Sequence, residues 1–306
     1  MPEHLPRRAT AVPPRIAAIV VTYNRPDYLR RCIYALVDQT VPELSIIVVD
    51  NCSDSPTQAV LAEFPGVTTW RSTENLGGAG GFSLGVRHAI DLGFDFLWLM
   101  DDDTAPEADA LESLLLAQKS VPHAGFIAPL VVTDDSDGRV IPTHLPSFIA
   151  KRSVQASNVG SGLVAVSHAT FVGVLVSVSA ASVIPPPIAS YFIWHDDLEY
   201  TSRLARESGG YFTYRARVRH PAGGDRKDLA WRLRYAVRNA IWLQRSSGPT
   251  LWVKLRVVQE TARTLLRHFR ASANPVSDTV LVIRSIIEGF GPMAEGKNTD
   301  IQTPSL

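Results

Sequence analysis

A mostly parallel α/β sheet with helices on both faces is predicted by three observations. Short, almost wholly apolar runs end abruptly in polar residues at "VTYNR", "VVDN", "STENLGGAGG" and "LMDDDT". The segments between those runs carry apolar residues at helical spacing, and proline and glycine fall at the edges of the periodic stretches. Strands read as continuous apolar runs when both faces of a sheet are covered, which is the parallel, helix-crossed arrangement.

Taken in order, "RIAAIVVTYNR" is a strand, and "PDYLRRCIYALVDQT" a helix with Leu29, Cys32, Ile33, Leu36 and Val37 on one face. "ELSIIVVDN" is a second strand, "SPTQAVLAEF" a short helix opened by Pro56, "GVTTWRS" a third strand, "GFSLGVRHAIDLG" a helix and "FDFLWLMDDD" a fourth strand. "PEADALESLLLAQK" reads as a helix with Pro106 near its first position, followed by the strand "AGFIAPLVV". "TDDSDGRVIP" is a hairpin or loop, and the residues up to Ser167 show no period. Order resumes with the strand "ATFVGVLVSV", the helix "WHDDLEYTSRLARESGG" and the strand "YFTYRARVRHPAGGDRK", which runs into a Gly-rich basic loop. Two or three helices follow from Leu229. The expected organisation is a flexible arm over 1–15, an α/β domain over 16–228 whose halves divide near 133/134, and a helical region over 229–306.

With 306 residues, 45% hydrophobic and 20% charged, the chain can bury a sizeable core. Thirty basic and thirty acidic residues cancel, so no global field draws it to nucleic acid. Cys32 and Cys52 show no zinc or disulfide spacing, and the opening "MPEHLPRRATAVPPR" has no apolar core of a signal peptide, so a cytoplasmic location is expected. The longest apolar stretch, "FVGVLVSVSAASVIPPP", is broken by prolines and is shorter than the roughly 20 residues of a membrane span.

Ligands of open parallel sheets bind outside the carboxyl ends of the strands, so the four polar strand ends should meet at one crevice. The stretch "NLGGAGG" is not a dinucleotide fingerprint: Ser83 follows Gly78 and Gly80 where G-x-G-x-x-G needs glycine, and it follows the third strand. Its glycines either pack a helix tightly on the sheet or let backbone approach a phosphate or sugar. Three adjacent carboxylates at the mouth of a buried strand would repel one another and resist ionisation unless a cation lies among them. In an extended segment Asp101 and Asp103 point to one side, which suits a hard divalent ion that keeps positions open for phosphate oxygens. Alternatively, Asp103 or Thr104 caps the helix expected at Pro106, which accounts for one acid of the three. "WHDDLEY" supplies Asp196, Asp197 and Glu199 to the first turn of a helix, where the macrodipole favours acids and where a carboxylate can also act as general base.

Together, "VVTYNR", "VVDN", "NLGGAGGF", "WLMDDD", "WHDDLEY" and "RHPAGG" resemble family 2 glycosyltransferases of the GT-A fold, over about residues 16 to 240. Within them the chain is most similar to mycobacterial and corynebacterial galactofuranosyltransferases that prime or extend cell-wall galactan. The resemblance implies inverting, metal-dependent transfer of a sugar from a nucleotide donor, expected to be UDP-galactofuranose, to a hydroxyl of a polyprenyl-linked or other glycan. By position, it implies that Thr22, Asn24, Arg25 and Asp50 line a uridine pocket, joined by Asn75, Gly77 and Gly78, with Asp102 against the donor. It assigns Asp101, Asp103 and His220 to Mn2+ or Mg2+, Asp197 to the base with Asp196 as second choice, and Trp194 and Glu199 to the acceptor. "YAVRN" matches the family's aromatic-x-x-Arg-Asn signature. His195 stands between Trp194 and the acid pair, unlike close relatives, and the large extra domain of the processive enzyme is missing, which favours a short-primer or side-chain transferase.

Residues 232–270 carry many arginines and a single acid, Glu260, interleaved with Trp242, Trp252, Leu255, Val258 and Leu266. Such a helix either packs on the catalytic domain or lies in the interface of the cytoplasmic leaflet, near a lipid-linked acceptor. Two further readings stand beside the first: a rhamnosyl or other hexosyl transferase using a different nucleotide sugar, and a non-catalytic glycan-binding relative, which would have lost metal or base residues.

Overall fold

A computed structural model describes residues 13–146, 162–222, 230–293 and 301–302. Most of the expected arm, part of the aperiodic stretch before Ser167, and the Gly-rich basic loop after Ala222 lie outside the described residues.

The first half alternates strand and helix: β1 (Ile16–Thr22), α1 (Pro26–Val37), β2 (Leu44–Asp50), α2 (Ser55–Ala62), β3 (Thr68–Ser72), α3 (Gly77–Asp91) and β4 (Phe96–Asp101). All seven residues of β1 are buried, as a strand covered on both faces requires. On one face Ile19, Val21, Ile47 and Val49 pack with Phe82 and Leu84 of α3. On the other, Ala18, Val20 and Val48 pack with Leu29 and Ile33 of α1. Val37, expected on the same helical face, is 60% exposed because α1 ends at that residue.

β1 pairs in parallel with both β2 and β4, and the register sets Thr22 opposite Asp50 and Val21 opposite Asp101. Three strands therefore release their chains at one level. That level is the floor of the cleft described below.

The second half contains β5 (Ala105–Pro106), α4 (Ala110–Ser120), β6 (Phe126–Thr133), β7 (Leu163–Val166), β8 (Val172–Ser177), α5 (Val178–Ala181), α6 (Asp196–Ser208) and β9 (Gly210–His220). α7 (Ala230–Arg245), α8 (Leu251–Ala271), α9 (Pro275–Phe290) and the short β10 (Ile301–Gln302) follow. The sheet order is β10-β3-β2-β1-β4-β8-β6-β9-β5, with β7 paired to β9. β8 runs antiparallel to β4 and β6, so the sheet is parallel from β3 to β4 and mixed beyond.

Three expectations are corrected. Pro106 does not open a helix: Ala105 and Pro106 pair antiparallel with Arg219 and Val218, and α4 starts at Ala110. Proline suits this place because β5 is the edge of the sheet, where no ladder hydrogen bond is lost. Neither Asp103 nor Thr104 is therefore a helix cap. β7 falls in the stretch that showed no period. α3 begins at Gly77, not at Gly81, so the glycines belong to its first turns.

α7 packs against α8 and α9, burying Trp242, Leu243, Val253 and Val257. Among the described residues no helix is long and apolar enough to cross a membrane.

Candidate active site

The aspartate triplet occupies the turn between β4 and β5. Thr22 donates its hydroxyl to Asp102 Oδ2 at 2.7 Å, and one nitrogen of Arg25, Nη1, reaches Asp102 Oδ1 at 3.3 Å and Asp103 Oδ2 at 2.8 Å. The chain itself thus supplies one cation to the crowded carboxylates. The pairing of β5 with β9 carries a second group to the same place, because β9 ends at His220. His220 Nε2 lies 3.2 Å from Asp103 Oδ1, and its Nδ1 is 3.0 Å from the carbonyl of Pro221. A carbonyl can only accept, so Nδ1 carries a hydrogen and Nε2 is the ring nitrogen turned toward Asp103.

These environments separate the three acids. Burial, with Asp103, Asp102 and Asp196 as neighbouring anions, pushes Asp101 well above the usual carboxylate range. Asp102 is raised to about 6 by burial, against the pull of Arg25. For Asp103 burial works upward but is outweighed by His220 and Arg25, which hold it below its ordinary value. His220, disfavoured as a cation by its burial, is nevertheless raised by Asp103 and the Pro221 carbonyl.

A divalent cation fits this corner. Asp103 Oδ1 is buried without a hydrogen-bond partner and faces a ring nitrogen whose other side is already anchored. The hard carboxylate oxygens suit Mn2+ or Mg2+, and an imidazole beside them favours the softer Mn2+ of the two. Among the described residues no three His, Cys, Asp or Glu side chains converge closely enough to hold a metal by themselves, so the corner suits an ion completed by phosphate oxygens of a ligand.

A second pair of carboxylates borders the same cleft, at the start of α6. Asp197 accepts from the N–H of Leu198 at 2.7 Å and from the backbone of Phe171, yet burial raises it to about 6. Asp196 is pushed well above the usual range by burial and by Asp197. Phe171 ties the two clusters together, because its carbonyl accepts the N–H of Asp101 at 3.2 Å while its own N–H serves Asp197. The turn leading into α6 is strained: Phe192, Trp194 and His195 have φ of 65°, 67° and 68°, and none is glycine. Such residues cost about 1–3 kcal/mol each and persist where the surroundings hold them.

Of the two uses expected of the glycine-rich stretch, helix packing is seen directly, and Gly78 leaves room beside the backbone. A Cβ at Gly81 would come within 2.5 Å of Val21 Cγ1, so that glycine packs α3 on β1. Gly78 has open space beside it and lines the cleft with Asn75 and Gly77. Gly77 has φ of 68°, donates its N–H to Asn75 Oδ1 at 2.9 Å, and would collide with the Phe192 carbonyl if it carried a side chain.

Of the expected site residues, Thr22, Arg25, Asn75, Gly77, Gly78, Asp101, Asp102, Asp103, Trp194, Asp196, Asp197 and His220 border one cleft. Three do not. Asn24 Oδ1 accepts the N–H of Asp54 at 2.7 Å, joining two loops. Asp50 is fully buried, paired with Arg71, and accepts the Ser53 N–H at 2.8 Å, so it braces the loop from behind. Glu199 is buried in a pair with Arg203 and takes a hydrogen bond from Ser246 at 2.8 Å, facing α7 and α8 instead of the cleft. An acceptor contact for Glu199 does not fit this placement, because all its capacity is spent inside the protein.

Sequence reading missed His144, whose ring lies 4.8 Å from that of His220, tilted by 56°, and whose Nδ1 is 3.2 Å from the Thr170 hydroxyl. It sits in an aperiodic segment with no motif to flag it. Burial lowers its pKa to about 4. α8 closes the far side of the cleft with Val253, Val257, Arg263, Arg267 and Arg270.

Against known proteins, a family model described as "Glycosyl transferase family 2" matches residues 17–179. Galactofuranosyltransferase GlfT1 of Mycobacterium tuberculosis is 36% identical over 217 residues, covering 69% of this chain and 71% of the relative. The protein of the same name from Mycolicibacterium smegmatis is 30% identical over 217 residues, covering 69% and 72%. Among solved structures, mannosyltransferase PcManGT from Pyrobaculum calidifontis, in complex with GDP-Man and Mn2+, superposes with a TM-score of 0.57 at 18% identity, covering 90% of this chain and 74% of that one. S. aureus TarS 1–349 in complex with UDP-GlcNAc gives 0.53 at 15% identity, covering 90% and 82%. At such identities the likeness is one of fold, the GT-A arrangement.

Proposed function

Since the chain belongs to glycosyl transferase family 2, we propose that it transfers galactofuranose, with inversion, from UDP-galactofuranose to a hydroxyl of a lipid-linked cell-envelope glycan. One observation carries the chemistry: two buried carboxylate clusters border a single cleft, close enough for Asp196 to act on Asp101 and joined through the backbone of Phe171. The sugar and acceptor classes are supported by the similarity to galactofuranosyltransferases.

The donor uridine would lie by Thr22 and Arg25 at the end of β1, with the backbone at Asn75, Gly77 and Gly78 beside the diphosphate or sugar. Asp102, fixed by Thr22 and Arg25, would stand against the donor. Asp103 and His220, with Asp101 at the same corner, would hold Mn2+ or Mg2+, which when bound supplies positive charge to the departing diphosphate. Asp197 takes the proton of the acceptor hydroxyl while the acceptor oxygen bonds to the anomeric carbon. The bond from that carbon to the diphosphate breaks on the opposite face, and its electron pair leaves with UDP. With its pKa at about 6, Asp197 is ionised at neutral pH and still basic enough to take a proton, whereas Asp196 is held further toward its neutral form. Trp194, in the cleft wall beside them, offers an aromatic face for a sugar ring.

A polyprenyl-linked acceptor is supported by the far wall and by the surface beyond it. Arg263, Arg267 and Arg270 of α8 border the cleft and would meet an anionic linker. Val276, Val280, Ile283, Ile287 and Phe290 form an exposed apolar row along α9, and Leu251, Trp252 and Leu255 are exposed at the start of α8. Apolar rows beside arginines suit peripheral contact with an anionic cytoplasmic leaflet.

The experiment is a donor screen. UDP-galactofuranose, UDP-galactopyranose, a dTDP-hexose and GDP-mannose are each added with Mn2+, and the rise in melting temperature and the transfer to a lipid-linked acceptor are recorded. UDP-galactofuranose should give both the largest shift and the only rapid transfer. Preference for another nucleotide sugar would overturn the sugar assignment, and no response to any of them would overturn the transferase reading.

A further inference from the structure

The strained turn from Ser190 to His195 delivers both candidate bases, and its carbonyls are almost entirely claimed by two adjacent residues of α7. Asn239, fully buried, places Nδ2 at 3.0 Å from Tyr191 O, 2.7 Å from Ile193 O and 2.9 Å from Trp194 O. Arg238 Nη2 donates to Ser190 O at 2.7 Å and Tyr191 O at 3.0 Å. The remaining carbonyl, that of Phe192, accepts the N–H of Ala79 at 3.1 Å from the glycine-rich end of α3. Every carbonyl from Ser190 to Trp194 is thus held, and the turn is fastened between the donor side of the cleft and α7.

The two clamping residues also fix each other. Arg238 Nε donates to Asn239 Oδ1 at 2.9 Å, which leaves the amide only one orientation, with its N–H groups toward the turn. The guanidinium of Arg238 lies 4.1 Å over the Trp242 ring and 4.8 Å over that of Tyr235, and Tyr235 in turn stacks on Phe192 at 5.0 Å. A polar pair placed only to fill a helix interface would not need four peptide carbonyls of this turn as partners.

We propose that Arg238 and Asn239 are positioning residues: through the 190–195 turn they hold Asp196, Asp197 and Trp194 in the arrangement needed for transfer. This rests on the sugar-transfer reading above. Loss of the clamp lets Phe192, Trp194 and His195 relax from positive φ, and the first turn of α6 moves with them. Displacement of a catalytic group by about 1 Å costs on the order of 100-fold in rate, whereas Thr22, Arg25 and Asp102 on the β1 and β4 side of the donor pocket share no hydrogen bond with the clamp.

The test compares wild type, Asn239→Ala and Arg238→Lys. Hydrogen exchange is followed in peptides covering 188–200 and in the sheet, and kcat and donor KM are measured with Mn2+ present. For Asn239→Ala the expected result is faster exchange confined to the turn and the start of α6, kcat down by about 100-fold and donor KM changed by no more than about threefold. Arg238→Lys keeps one charged donor and should recover an intermediate kcat. A kcat within about threefold of wild type in Asn239→Ala, or a fall in kcat matched by faster exchange throughout the sheet, overturns the proposal. Should Asn239→Ala fail to fold, Arg238→Lys is judged by the same criteria. If wild type transfers no sugar, the function reading fails, and the clamp is judged by exchange alone: protection of 190–197 unchanged in the variants rejects it.

Discussion

Nε2 of His220 faces Oδ1 of Asp103 at 3.2 Å, across a gap that neither residue fills with a well-aligned hydrogen bond. The pairing of β5 with β9 brings them together from positions 117 residues apart, and the Pro221 carbonyl orients the ring. His220→Ala should weaken Mn2+ binding, raising the metal concentration for half-maximal UDP release by about 10–100-fold, the range expected for a disturbed metal site. A metal titration of activity checks this.

Asp197 predicts the pH profile. A base must be ionised, so kcat should rise with pH through an apparent pKa near 6 and level off above it. Asp197→Asn should keep donor binding, lose transfer and abolish that limb. The stability effect has the opposite sense: a carboxyl raised from 3.8 to about 6 on folding binds more protons in the native state, so its contribution is present at low pH and is lost as pH rises through about 6. Melting temperatures of wild type and Asp197→Asn between pH 5 and 8 should converge at the acid end.

Glu199→Ala should act on stability and not on the acceptor. It strips Arg203 of its buried partner, and breaking such a pair costs about 3–5 kcal/mol. Denaturant unfolding should show that loss, with acceptor KM nearly unchanged.

Charging the exposed row of α9 separates catalysis from surface binding. The double substitution Ile283→Asp and Ile287→Asp should weaken sedimentation with anionic vesicles while transfer to a short soluble acceptor stays within about twofold of wild type.

The strand ends, the acid clusters and the α/β order were legible because each is local: apolar runs, helical spacing and adjacent carboxylates all lie within a few residues of sequence. Pairings between distant segments were not. Pro106 carries a helix-start signal, yet β9 captures it as an edge strand and so sets His220 beside the triplet. Glu199 stands four residues before Arg203, a helical spacing that the sequence does show, but that the pair turns away from the cleft while Asp197 turns toward it depends on how α6 docks. Arg238 and Asn239 stood out only as a motif; their grip on the turn depends on how α7 docks. His144 had no local signal at all.

The most direct test of the central claim is Mn2+-dependent release of UDP from UDP-galactofuranose by wild type and Asp103→Ala, at matched melting temperatures. Wild type should turn over, and the variant should lose at least about 100-fold while remaining folded, since the lost group stabilises charge developing on the diphosphate. Undiminished UDP release by Asp103→Ala would contradict the account.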